Sequence, residues 1–175
     1  MKILLVKRLE SSFTAFKQSL LNLRRYTENM ILMWEKDTIF ICPQIDVNKE
    51  LDIQDKSIKT NKKVTFETCA DDIRAKIKKL TEEGKNEKNQ NAEYRRADFN
   101  PAYIDLLKHD YQLISQLYDR WSSNSEDPKF DKFKESLQPI LFDPSKNTSQ
   151  KLVIFSESID TVDSLVRAVK KKGYR

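Results

Sequence analysis

Few side chains in this chain are of the types that carry covalent chemistry, and their spacing argues against a catalytic assembly. His109, the single histidine, stands between Lys108 and Asp110 with no second His or Cys nearby, so a surface position is expected, not a metal site or a triad. Cys42 and Cys69 are the two cysteines, without the C-x-x-C spacing of a zinc site and too few for a disulfide framework. A reducing, cytoplasmic setting fits them. Asp71-Asp72 and Glu82-Glu83 are neighbours along helical stretches, which turns the members of each pair to different faces and not onto one substrate. Lys170, Lys171, Lys172 and Arg175 form a local basic cluster. Such a cluster either meets a nucleic-acid backbone or answers the negative end of its own helix.

The bulk composition narrows the field in the same direction. Over 175 residues the net charge is +5, compatible with weak attraction to a polyanion and far short of a basic tail. Charged residues make up 34% and glycine occurs twice, which favours helices over turn-rich sheets. The apolar opening Met1–Val6 runs straight into Lys7-Arg8, too short for a signal peptide or a membrane span. No membrane partner is expected.

The elements that must position these residues follow from periodicity. Leu5, Leu9, Phe13, Phe16, Leu20, Leu23 and Met30 keep steps of three and four, predicting one long helix over 1–36, with Trp34 stacking or packing at its end. Residues 37–100 read as a polar insertion. Within it Thr38–Cys42 is a short strand stopped by Pro43, and 44–66 is irregular. One helix follows, capped by Thr68 with Asp71, burying Ile73, Ile77 and Leu80, and stopped by Gly84. A flexible linker is expected near 85–93, because Lys85–Asn91 has no apolar residue to offset the entropy of ordering.

Residues 101–145 read as a two-helix segment. Asn100-Pro101 opens the first helix, whose stripe is Tyr103, Leu106, Leu107, Leu113, Ile114, Leu117 and Trp121, with Trp121 as core. Asp127-Pro128 opens the second, with Phe130, Phe133 and Leu137 inward and Pro139 limiting its length. After a loop at Asp143–Asn147, residues 146–175 change character. Leu152-Val153-Ile154-Phe155 is a continuous apolar run of the kind buried on both faces of a parallel sheet. Ser156-Glu157-Ser158 turns into a helix with Ile159, Val162, Leu165, Val166 and Val169 on one face and Gly173 as its stop. One strand with one helix is half of a βαβ unit, so its sheet neighbours must come from elsewhere. The expected class is mainly α with a small α/β part.

Two segments together carry a resemblance. Leu4-Leu5-Val6-Lys7-Arg8-Leu9-Glu10-Ser11-Ser12, followed by Phe13-Thr14-Ala15-Phe16, is similar to a segment of bacterial SWI/SNF-type helicase-like ATPases near the junction of their two RecA-like motor lobes. Asp127-Pro128-Lys129-Phe130-Asp131-Lys132-Phe133, then Lys151–Glu157, is similar to the start of the second lobe in that family, with 152–155 as its motif IV strand. Tyr94–Phe99 and the helix after it resemble part of the helical region such proteins insert between the two. The resemblance implies a helical insertion region plus the first strand-helix unit of a RecA-like helicase C-terminal lobe.

What the resemblance implies about chemistry is mostly negative for this chain. The family cradles phosphates with a Gly-Lys-Ser/Thr loop and holds magnesium with an Asp-Glu pair at a strand end, and neither is present here. ATP and Mg therefore belong to the parent ATPase, and so do the catalytic residues. The implied partners are double-stranded DNA through the parent and the remaining motor lobes in cis. In this superfamily the end of the motif IV strand approaches the nucleic-acid backbone, which here means Ser156, Glu157 and Ser158. Hydroxyls and free amides at a helix N-terminus suit a phosphate, Glu157 opposes one, and Ser158 serves equally well as a plain helix cap. Lys7, Arg8 and Glu10 either couple the lobes, touch DNA or remain solvated. The competing class is a stand-alone helical interaction module without catalytic activity, and a third reading is weak DNA binding by the basic helices alone.

Overall fold

The structure, a computed structural model, describes residues 2–60, 63–124, 127–141, 143–149, 151, 153–156 and 158–171. It is mainly helical. In chain order the elements are α1 (Lys2–Ser11), α2 (Phe13–Glu35), β1 (Ile39–Ile41), α3 (Val47–Glu50), α4 (Ile53–Thr60), α5 (Phe66–Glu82), β2 (Ala92–Tyr94), α6 (Tyr103–Ser122), α7 (Pro128–Leu141) and α8 (Ile159–Lys171). The chain divides into two compact units, one of residues 1–23 with 114–175 and one of residues 24–113.

The predicted helix over 1–36 is two helices. Its apolar stripe runs in phase through Ser12, but Ser12 ends one helix and begins the next. Its N–H donates to the Arg8 carbonyl at 3.1 Å, its carbonyl accepts from the Phe16 N–H at 3.1 Å, and its hydroxyl accepts from the Ala15 N–H at 3.0 Å. That last bond is an N-cap, which satisfies an amide that α2 leaves open. In this first unit Ala15, Phe16 and Leu20 are buried, and Trp121 of α6 meets Phe13 and Phe16 edge-on at 5.0 and 4.9 Å between centroids. Trp121, expected as core, is only partly buried, packed on one side by these two rings. The helix α7 opens on Asp127, whose carboxylate accepts from the Phe130 N–H, and it runs past Pro139 to Leu141. Pro139 falls within the final turn, so the hydrogen bond it removes is one of the last.

The second unit holds the larger core. Met33, Trp34, Ile39, Phe40, Val47, Leu51, Phe66, Cys69, Ala70 and Ile73 form one buried cluster. Here α2 ends without glycine: Asp37 takes a left-handed φ of 50° while its N–H and that of Thr38 donate back to the carbonyls of Trp34 and Met33. The strain of that conformation is balanced locally, because the Asp37 carboxylate accepts from the Arg96 N–H at 2.9 Å and the Asp37 carbonyl from Arg95 at 3.0 Å. Trp34 packs against Phe99 and Tyr103 and is not free to stack on a ligand.

Strand β1 lies where β-branched and aromatic residues predict it. Its partner was not foreseen. β2 pairs with it antiparallel, Ile39 opposite Tyr94, Phe40 opposite Glu93 and Ile41 opposite Ala92. The stretch 44–66, read as irregular, contains α3, capped by the Asp46 side chain on the Lys49 N–H, and α4. The cap of α5 is Thr65, not Thr68: the Thr65 hydroxyl accepts from the Thr68 N–H at 3.3 Å, and Asp71 pairs with Arg74 instead. Gly84 stops α5 as expected. With φ +67° it allows its own N–H and that of Lys85 to reach the carbonyls of Thr81 and Leu80.

The stretch near 85–93, expected as a flexible linker, forms a turn that leads into β2. Asn91 is 1% exposed and joins Asn86 and Gln44 in a closed amide network. Lys88 and Asn89 take left-handed φ values of 53° and 52° within this turn.

Directly opposite residues on paired strands share a face, so Phe40 and Glu93 are approached together by Arg74 of α5. The guanidinium binds Glu93 through two bonds of 2.7 and 2.8 Å and stands 5.9 Å from the centre of the Phe40 ring. The Arg74 hydrogen bonds hold the Glu93 carboxyl below the usual carboxylate range. A depressed folded-state pKa adds stability above the unfolded value, and that stability is lost as pH falls through the folded one. At neutral pH the wild type should therefore exceed Glu93→Gln by about 1 kcal/mol. The gap should close as pH drops below about 4. Urea unfolding of both proteins from pH 7 to pH 3 reads this directly, and parallel curves would refute it.

The largest departure is at the apolar run. Among the described residues of 151–156 there is no strand and no ladder partner, and the β1–β2 pair is the one sheet. Val153 is 73% exposed and Phe155 91%. Leu152 and Glu157 lie outside the described residues. A strand needs a neighbour for its backbone groups, and none of the described residues pairs with this run.

Candidate functional site

The residues singled out for function converge most at the N-terminal end of α8, inside the first unit. Arg8 on α1 donates from one guanidinium nitrogen to the Ser158 hydroxyl at 2.7 Å and to the Asp160 carboxylate at 3.2 Å. Arg8 and Ser158 were both candidates for DNA contact; each engages the other. Ser158 is buried, and its hydroxyl receives Arg8, while the adjacent Ser156 hydroxyl accepts from the Ser158 N–H at 3.2 Å. Of the two serines, Ser156 therefore holds the turn.

Three helix beginnings and one helix end meet around this point. Ser11, the last residue of α1, and Ser12, the cap of α2, both place hydroxyls on Thr161 of α8, at 2.9 and 3.1 Å. Thr14 reaches Ser164 at 3.4 Å. Asp127 joins from the start of α7, one carboxylate oxygen accepting from the Phe13 N–H at 3.0 Å and the other from the Phe130 N–H at 3.3 Å. One side chain thus closes the open amides of two helices. Lys129 donates to the carbonyl of Glu10. A cavity of about 160 Å3 opens beside the junction, bordered by Ser11, Ser12, Asp127, Thr161, Phe130, Phe133 and Leu165 among others.

The chemistry of this cluster is that of a fastening. Its hydroxyls bond to one another and to a guanidinium, whereas activation of a hydroxyl for attack needs an adjacent base. The chain's single histidine, His109, is exposed and belongs to the other unit. Neither thiol is poised for attack: Cys69 is in the core, and burial pushes the half-buried Cys42 thiol up, towards its protonated form.

The other candidates are dispersed. Lys7 is exposed on α1, and Glu10 is exposed one turn on. Lys170 and Lys171 fall in the last turn of α8, while Lys172, Gly173 and Arg175 lie outside the described residues. Asp71 pairs with Arg74, Glu82 with Lys78 and Glu83 with Lys85, so the adjacent acidic residues serve separate ion pairs. Ser11, Ser12, Thr161 and Asp127 were not foreseen as a cluster. The available signals were Ser-Ser ahead of the Phe13–Phe16 repeat and Asp ahead of Pro128, both cap signatures.

No protein-family model, curated protein or solved structure matches this chain. Among the described residues, no helix is long and apolar enough to cross a membrane.

Proposed function

We propose that the chain is part of an ATP-dependent DNA helicase or translocase of the SWI/SNF type, working in the cytoplasm, in which it couples the two motor lobes without an ATP site of its own. In this reading residues 1–36 lie at the lobe junction and residues 146–175 begin the second RecA-like lobe with its first strand-helix unit. The observation that supports it is the exposure of this unit's apolar residues. Val153, Phe155 and Ile159 are turned to solvent in a segment whose sequence suits a strand buried on both faces. Parallel strands of the rest of the lobe would cover them. The contact of Arg8 with Ser158 and Asp160 then favours coupling over direct phosphate contact for these residues. ATP and magnesium bind on the parent, and double-stranded DNA is engaged through it.

Steady-state ATP hydrolysis, with and without duplex DNA, tests the assignment. The chain alone should show no turnover, and DNA-stimulated turnover should appear when the residues encoded on both sides of it are restored. Turnover by the chain alone, or none by the extended protein, would overturn the assignment. A helical interaction module is the second reading. It is favoured by Leu106 and Leu113, which are 63% and 51% exposed on α6 although the stripe containing them was expected to be buried.

A further inference from the structure

The helix α8 is amphipathic, yet the side it turns towards the rest of its unit is the polar one. Asp160, Thr161 and Ser164 make its contacts with Arg8, Ser11, Ser12 and Thr14. Ile159, Val162 and Val166 face solvent. Helices in proteins are ordinarily held by burial of the apolar stripe, since a helix of this length is marginal by itself in water. On the inner side Leu165 borders the cavity of about 160 Å3 with Phe130 and Phe133, so close packing is incomplete where it would contribute most. The segment leading into α8 adds no ladder hydrogen bonds among its described residues. Among the described residues, what holds α8 is a short row of side-chain hydrogen bonds and one partly exposed ion pair, with Leu165 beside Phe130 and Phe133, each individually weak.

We propose that α8 is a releasable strap, latched to the α1–α2 joint by Arg8, Ser11, Ser12 and Thr14, which opens as a local unit while α2 and α7 stay folded. Closed, it covers the cavity with Thr161, Ser164 and Leu165. Open, it frees the hydroxyls of the joint. The caps of α2 and α7 do not depend on it, because Ser12 binds the Ala15 amide and Asp127 binds the Phe13 and Phe130 amides. The latch follows from these contacts whether or not the chain belongs to a motor.

Native-state amide exchange on the full chain tests the strap. Thr161→Val keeps the branched shape and removes the hydroxyl shared by Ser11 and Ser12. In the wild type the α8 amides should exchange roughly 10-fold faster than those of α2 and α7, and in Thr161→Val about 10-fold faster again, with α2 and α7 unchanged. The paired change Ser11→Cys with Thr161→Cys sets two thiols where hydroxyl oxygens stand 2.9 Å apart, within reach of a disulfide. Oxidised, this pair should slow α8 to the rate of α7, and reduction should reverse the effect. The cross-link carries the test even if Thr161→Val folds poorly. Exchange of α8 in step with α2 and α7 in the wild type, or an α8 rate that the disulfide leaves unchanged, would overturn the proposal.

Discussion

Asp127→Ala should lower the stability of the first unit by about 2–3 kcal/mol, near the sum of two lost helix caps and well above the usual cost of a surface substitution. The carboxylate is the common partner of the Phe13 and Phe130 amides, 3.0 and 3.3 Å away, so a single truncation frees two helix-start amides 117 residues apart in the chain. Both bonds are charge-assisted, and they place a negative group at the positive ends of two helices. Asp127→Asn retains one acceptor oxygen and should lose about half as much. Urea unfolding followed by amide exchange separates the units: protection should fall along Phe13–Leu23 of α2 and along α7, and hold along α5. A shift below about 0.5 kcal/mol for Asp127→Ala would mean that water replaces the carboxylate at both amides.

The same residue shows why the fold was more legible than the site. Asp127 is recognisable in the sequence as the cap of its own helix, because Asp-Pro at a helix start is a local signal. Its bond to Phe13 is not, since nothing local marks which distant helix still has an open amide. Gly84, Asn100-Pro101 and the 159–171 stripe were likewise readable from neighbours within a turn or two. Ser12 was missed for the opposite reason: Leu9, Phe13 and Phe16 hold one periodicity across the break, and periodicity reports the face, not the continuity of the hydrogen bonds beneath it. At Leu152–Phe155 the composition of a buried strand is present without its neighbours. Strand propensity expresses a fit to a pleated, covered surface, and where none of the described residues supplies that surface Val153, Ile154 and Phe155 stay exposed. The latch around Thr161 was the least legible part, because nothing local marks which distant hydroxyls Ser11, Ser12 and Thr14 meet.

Asn91→Ala should cost the second unit about 2–4 kcal/mol, although the stretch Lys85–Asn91 has the composition of a disordered linker. The order comes from amides rather than apolar burial. Asn91 accepts from the Gln44 N–H at 3.1 Å and donates to the Gln44 side chain at 2.6 Å and to Asn86 at 3.1 Å. Asn86 in turn accepts from the Asn91 N–H at 2.9 Å and donates to the Asn91 carbonyl and to Thr81. Truncating Asn91 removes the partner of the Gln44 amide and one partner of Asn86, and empties the space of a side chain that is itself 1% exposed. The strand β2 begins at the next residue, so the register of the sheet should loosen with it. Asn91→Asp is the sharper variant. It keeps the shape and the oxygen that faces Gln44, but it removes both donors and sets a carboxylate against the Asn86 and Gln44 oxygens, so it should be at least as damaging as alanine. Urea midpoints of the two variants, with the rate of proteolysis within 85–91, provide the measurement. A linker ordered only in passing would leave both quantities unchanged.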